Sequence, residues 1–430
     1  MTGSSPLTAR PPFRPTGLLW VLFFSASAAL LFWPTVRSIE HPRPAPGAAA
    51  QRHAIVISGN DTGEFAKQLD LAAESLGRGE VYFPVSNFDC PVSFLLPCAA
   101  VYRWTGWPPV AVMNGFTLVA VGLNGLFAFA FLRAVGTAAR FAAVLAVAFQ
   151  GSNFVAYSHH MGHMNYVQLG WLAAAFWVAA GLCREPGSWR RAGGLGLAMG
   201  GQVLSSPSFT VYLTFAALPA FCLAYWTTAL RQGSATRADA LRFAGRGVAA
   251  AGVAAGVAGF YLVERLGHPP RTYPAPTWLP FALDNYLELL DPAHPSLFLG
   301  LPLAVLGVLA ANWWWANRTP FTAACGATAV VSLVMMLPAI PGTPYWVLYQ
   351  TVPWFKHLRV PFRFFPIFLL TLSGLIGLYL TAGTAAWSAG RRWALTAALL
   401  AALAVGNWFT SDWYYPVDPV PVLKRQLGKD

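Results

Sequence analysis

Residues 108–132 read PPVAVMNGFTLVAVGLNGLFAFAFL, without one charged side chain, and Arg133 follows at once. A helix that crosses hydrocarbon needs about 20 predominantly apolar residues, and this run is longer than a soluble core helix requires. Working outward in both directions, runs of the same kind recur near 17–36, 139–157, 165–183, 192–206, 208–230, 243–263, 296–312, 321–340, 362–383 and 391–410. The expected fold is an all-α polytopic membrane protein with about eleven transmembrane helices. The composition agrees: 56% of the 430 residues are hydrophobic and 10% are charged, against about 25% charged in soluble domains. The net charge of +12 does not mark a nucleic-acid binder. The basic residues fall between apolar runs rather than in a patch interleaved with exposed aromatics, so the partner they imply is the lipid bilayer.

Three segments follow: a cytoplasmic tail over 1–16, a membrane domain over 17–410 whose first extracytoplasmic loop spans about 38–92, and a short extracytoplasmic tail over 411–430. Arg10 and Arg14 precede the first run, and Ala48–Ala50 offers a loose signal-peptidase site. The run is longer than a signal-peptide core and the small residues lie well past its end, which favours a retained anchor. With the N-terminus inside, the cytoplasmic connections hold fourteen of the 28 basic residues but only Glu185 and Asp239 of the 16 acidic ones. That is the direction the positive-inside rule demands, so the expected topology is N-in and C-out.

The carboxylates and the unusual polar clusters then face the extracytoplasmic side. In the first outer loop, Phe65, Leu69, Ala72, Ala73 and Leu76 recur at helical spacing opposite Lys67, Gln68, Asp70 and Glu74, which predicts an amphipathic helix on the membrane surface. Asp61 followed by Glu64 reads two ways, as a helix cap or as a carboxylate placed to take a proton from an acceptor hydroxyl. The apolar stretch 93–104 is too short to span; it is an interfacial or re-entrant helix, or an extension of the next span. Between two spans, Ser158–Asn165 carries His159, His160 and His163, whose readings are a metal site, hydrogen bonding to phosphate or sugar, and interfacial anchoring. Before the tenth run, Lys356, Arg359 and Arg363 converge on the side where basic residues are disfavoured. Arginine's planar fork suits phosphate, and snorkelling or ion pairing is the alternative. Asp284 and Glu288 would share a helix face and either contribute a second carboxylate, pair with these arginines or meet solvent. Cys90 and Cys98 are a candidate disulfide or small apolar fillers, and the five cysteines show no metal-ligand spacing. Gly196/Gly200 and Gly252/Gly256 have the spacing that lets helices approach closely.

Taken together, the anchor helix, the long outer loop with an early acidic residue, the Gly162-His163 turn and the stretch Leu358-Arg359-Val360-Pro361-Phe362-Arg363-Phe364 resemble the GT-C superfamily. These are membrane glycosyltransferases that use polyprenyl-phosphate sugars. Within it the chain is most similar to the bacterial YfhO-like proteins of cell-envelope glycosylation. The resemblance implies a hexosyl- or pentosyltransferase of the bacterial inner membrane with its functional face extracytoplasmic. Its donor would be a polyprenyl-phosphate sugar and its acceptor a glycan, lipid or protein. It also implies Asp61, with Glu64 second, as base, and His163, Lys356, Arg359 and Arg363 as substrate-binding residues. Many members carry a pair of acidic residues where this chain reads Asn60-Asp61, so no cofactor is certain and a divalent metal stays open. Two other classes stand beside this one, a transporter or flippase of lipid-linked saccharides and a non-catalytic membrane scaffold. A transporter should show mid-span ionisable residues or broken helices in two corresponding halves.

Overall fold

The computed structural model describes residues 17–32, 60–80, 92–107, 109–160, 164–267, 299–337, 341–358 and 361–409, and among these all regular structure is helical. In chain order the helices are α1 (Gly17–Leu31), α2 (Asn60–Gly77), α3 (Val92–Thr105), α4 (Pro109–Val135), α5 (Ala139–Gln150), α6 (Asn153–His160), α7 (Met164–Val167), α8 (Gly170–Arg184) and α9 (Trp189–Ser205). They continue with α10 (Pro207–Tyr212), which runs through a π-turn at Leu213–Ala217 into α11 (Leu218–Arg231), then α12 (Arg237–Gly267), α13 (Leu301–Ala316), α14 (Pro320–Met335), α15 (Pro344–Thr351), α16 (Phe365–Gly383) and α17 (Ala389–Phe409). Among the described residues six stretches are long and apolar enough to cross a membrane: Ala111–Val135, Ala139–Ala156, Asn165–Arg184, Pro207–Arg231, Arg237–Glu264 and Pro361–Gly383. Helices α1, α13 and α14 are apolar but shorter.

Helix α4 sits among α1, α5 and α8. Gly125 is where these helices close on one another: a Cβ there would meet the Phe24 ring at 2.5 Å and Gln150 Oε1 at 2.6 Å. Gln150 ties α5 to α1, with Nε2 donating to the Phe24 carbonyl (2.9 Å) and Oε1 accepting from Ser27 Oγ (2.9 Å). With Trp20 against Phe129 at 4.2 Å and Phe24, Ala28 and Phe32 buried, α1 packs as a full member of the bundle.

Hydropathy located the helices and missed their interruptions. The run expected as one span over 139–157 breaks at Gly151–Ser152, and the run over 165–183 breaks at Gln168–Leu169. Buried side chains fill these breaks, so mean hydropathy barely changes across them. The two glycine pairs also part company. Cβ atoms at Gly196 and Gly200 would meet Val253 and Val257 side chains at 2.5 and 2.7 Å, so this pair seats α9 on α12. Gly252 and Gly256 have nothing within 4 Å, which corrects the reading of that pair as a packing surface inside this chain.

Helix α2 forms where the apolar spacing placed it, with Leu69, Ala72 and Ala73 buried and Asp70 and Glu74 exposed. Its apolar face, however, is turned onto α3 and α4 rather than onto a bare bilayer surface, and Gln68, assigned to the polar face, is buried. The stretch 93–104 resolves as α3, a helix separate from α4. Cys98 on α3 is a buried free thiol, while Cys90 lies outside the described residues.

Candidate functional site

Three segments that the sequence singles out separately meet at one end of the bundle. The first is the α2–α3 pair. Ser93, near the start of α3, donates to Gln168 Oε1 at 3.0 Å and lies 2.6 Å from Ser205 Oγ, which itself reaches Gln168 Oε1 at 3.3 Å. Gln168 lies in the break between α7 and α8, and Ser205 ends α9, so this triangle pins α3 to two interrupted spans. The turn Ser205-Ser206-Pro207-Ser208 is wholly buried. Gln202 donates to the Ser206 carbonyl there at 3.3 Å, which satisfies a backbone acceptor that lipid could not. On α3, Tyr102 is hydrogen-bonded to Asp70 of α2, and burial first, then Asp70, lifts its hydroxyl above the usual tyrosine range.

The second segment follows the histidines. Ser158, His159 and His160 are the last described residues of α6, so the helix persists through the first two histidines. Past them α7 presents Tyr166, buried against Phe154 and Phe209 with ring centroids at 6.4 and 5.7 Å.

The third is the loop from α15 to α16. It is anchored by aromatic rings: Phe355 packs on Tyr345 (5.6 Å) and Tyr212 (6.1 Å), and Phe364 on Tyr212 (4.4 Å). Tyr345 donates its hydroxyl proton to the Leu358 carbonyl at 3.0 Å. Burial drives the Tyr345 hydroxyl well above the ordinary tyrosine range, Tyr212 adds to that, and the positive charge of Arg363 opposes it. Short 3₁₀ turns at Pro353–His357 and Pro361–Phe364 shape the loop, and Leu358 and Pro361 are buried within it.

Arg363 joins the second and third segments. Its guanidinium carbon stands 4.3 Å above the centre of the Tyr166 ring, within the range of a cation–π contact. The side chain is half-buried. Stacking uses the flat face of the guanidinium while its N–H donors lie in the plane, so the same group can rest on a ring and grip an anion at its edge.

Of the other expected site residues, Asp61 lies in the first turn of α2 and Glu64 at the start of its second, where the helix dipole favours a carboxylate; their side chains lie outside the described residues. His163 and Arg359 also lie outside them. Lys356 is exposed in the 3₁₀ turn before Leu358. Asp284 and Glu288 fall outside the described residues. Among the described residues no group of three or more His, Cys, Asp or Glu side chains is placed to hold a metal. Tyr166 and the Ser93–Gln168–Ser205 triangle were not foreseen. The signal for them was present, because Gln168 and the Ser205-Ser206-Pro207-Ser208 turn are polar interruptions of apolar runs. No family model matches the chain, and no curated protein matches it.

Proposed function

We propose that this protein is a GT-C-like glycosyltransferase of the bacterial inner membrane. In this reading about eleven helices cross the bilayer, N-in and C-out, and a sugar passes from a polyprenyl-phosphate donor to an extracytoplasmic envelope acceptor. The observation that carries the reading is Arg363, a half-buried cation stacked on Tyr166 beside the segment that follows the histidines. A cation at the membrane boundary is costly unless it has work to do, and an anionic lipid phosphate is the ligand it suits.

The chemistry is a single displacement. An acceptor hydroxyl attacks the anomeric carbon, the new C–O bond forms as the bond from that carbon to the phosphate oxygen breaks, and Asp61 receives the hydroxyl proton. The departing polyprenyl phosphate carries the negative charge, which Arg359 and Arg363 hold, with Lys356 nearby at the loop surface. For a β-linked donor the product is inverted. No covalent nucleophile takes part. His163 binds substrate in this reading.

The experiment uses the purified protein in vesicles with a polyprenyl-phosphate sugar. Arg363→Gln should raise KM for the donor at least tenfold, the scale of one charge-assisted contact, and an unchanged KM would remove Arg363 from the donor site. A second reading, a flippase for lipid-linked saccharides, draws on the helix breaks at 151–152 and 168–169. It predicts donor crossing the vesicle membrane with no transfer product.

A further inference from the structure

The opposite end of the bundle holds a cluster the proposed chemistry does not use. Arg140 is the second residue of α5 and Arg392 the fourth of α17, and these helices pack together. Both residues lie in the first turns of two packed helices, which brings the two cations to one corner of the bundle, and there the charge of Arg392 acts on Arg140. Neither arginine forms an ion pair with a described carboxylate. The Nε of each is shut off from solvent and has no hydrogen-bond partner. Arg140 covers the Phe141 ring at 5.0 Å, which leaves its in-plane donors available. Two neighbouring cations repel one another, and each has one N–H, its Nε, cut off from water. An anion between them would relieve both penalties.

Two further features say what kind of anion. Helix α5 begins at this point with no side-chain cap on its first turn, so backbone N–H groups and the positive end of a helix dipole add to the site. Trp387 and Trp393, 42% and 63% exposed, flank Arg392 in sequence, and exposed tryptophans of this kind sit at the headgroup level of a bilayer. We propose that Arg140 and Arg392 form a binding site for the phosphate headgroup of an anionic phospholipid, in the leaflet at the arginine-rich end of the bundle. A basic notch between helices at the membrane boundary is the setting in which such headgroups are held. The lipid would lock α17 against α5.

The test uses the full-length protein in phosphatidylcholine nanodiscs, with phosphatidylglycerol titrated in and thermal unfolding as the readout. Wild type should gain thermal stability as phosphatidylglycerol rises. Arg140→Gln and Arg392→Gln should each raise the half-saturating lipid fraction about fivefold. Arg391→Gln removes the same charge from the adjacent exposed position and should leave the response unchanged. Millimolar inorganic phosphate should produce no shift. The proposal is overturned if both site variants respond as wild type does, if Arg391→Gln weakens the response equally, or if inorganic phosphate reproduces it. Where Arg140→Gln does not fold, the response of Arg392→Gln alone decides, and a wild-type response from it overturns the site.

Discussion

Exchanging the glycines of the α9–α12 contact for alanine, one at a time, separates two motifs that are indistinguishable as text. At Gly196 an added methyl would lie 2.5 Å from both the Ala250 carbonyl oxygen and Val253 Cβ. Ordinary contact begins near 3.5 Å, so the helices must part by roughly 1 Å or the backbone must bend. The obstacle is partly backbone, which cannot rotate away as a side-chain tip can. Overpacking of this kind costs about 1–3 kcal/mol, slightly offset by alanine's better helix propensity. At Gly252 and Gly256 the same methyl meets nothing within 4 Å, so only the propensity gain remains. Thermal unfolding in a fixed detergent should therefore show Gly196→Ala losing several degrees, with Gly252→Ala and Gly256→Ala unchanged or slightly higher. Each kcal/mol corresponds to about 2–4 °C in a domain of roughly 200 residues and to less in a longer chain. If Gly196→Ala is neutral, or Gly252→Ala falls by as much, the α9–α12 packing described above is wrong.

Further expectations follow from other contacts. Gln150→Leu removes both hydrogen bonds to α1; it should cost about 1–2 kcal/mol, since bonds between membrane helices are worth roughly 0.6 kcal/mol each and an orphaned carbonyl adds more, and thermal unfolding checks it. Tyr166→Phe keeps the ring beneath Arg363 and should leave donor KM within about twofold, whereas Tyr166→Leu removes a contact worth about 0.5–2 kcal/mol and should raise KM between roughly twofold and thirtyfold. Arg363→Lys retains charge but loses the planar fork; a KM between those of wild type and Arg363→Gln is expected, measured in the same transfer assay.

How much of this was readable from residues alone differs between fold and site. Among the described residues, the apolar runs from 17–36 to 391–410 are mostly helix, because an apolar run has no other way to satisfy its backbone in lipid. Where helices stop inside a run was not readable. The break at Gln168–Leu169 has partners, Ser93 and Ser205, which come from segments distant in sequence. The surface of α2 illustrates the same limit: spacing identified its apolar face, but only tertiary contact shows that α3 and α4, not lipid, cover it. For the site, the conflict between Arg363 and the positive-inside rule was visible as a local anomaly. Its partner Tyr166 was not, since almost two hundred positions of chain separate them and nothing in a tyrosine at the end of a polar turn announces a cation above its ring. The glycine pairs show that a motif names a capacity, and that the neighbour decides whether it is used.

In the proposed sugar transfer from a lipid-phosphate donor Asp61 is the base, and Asp61→Asn tests that most directly. The variant keeps the shape of the side chain and removes its basicity. Purified wild type and variant, given the same polyprenyl-phosphate sugar and acceptor, should differ by about 10²–10⁴-fold in kcat, the usual contribution of a general base, with donor KM little changed. Equal kcat in the two proteins would contradict the account.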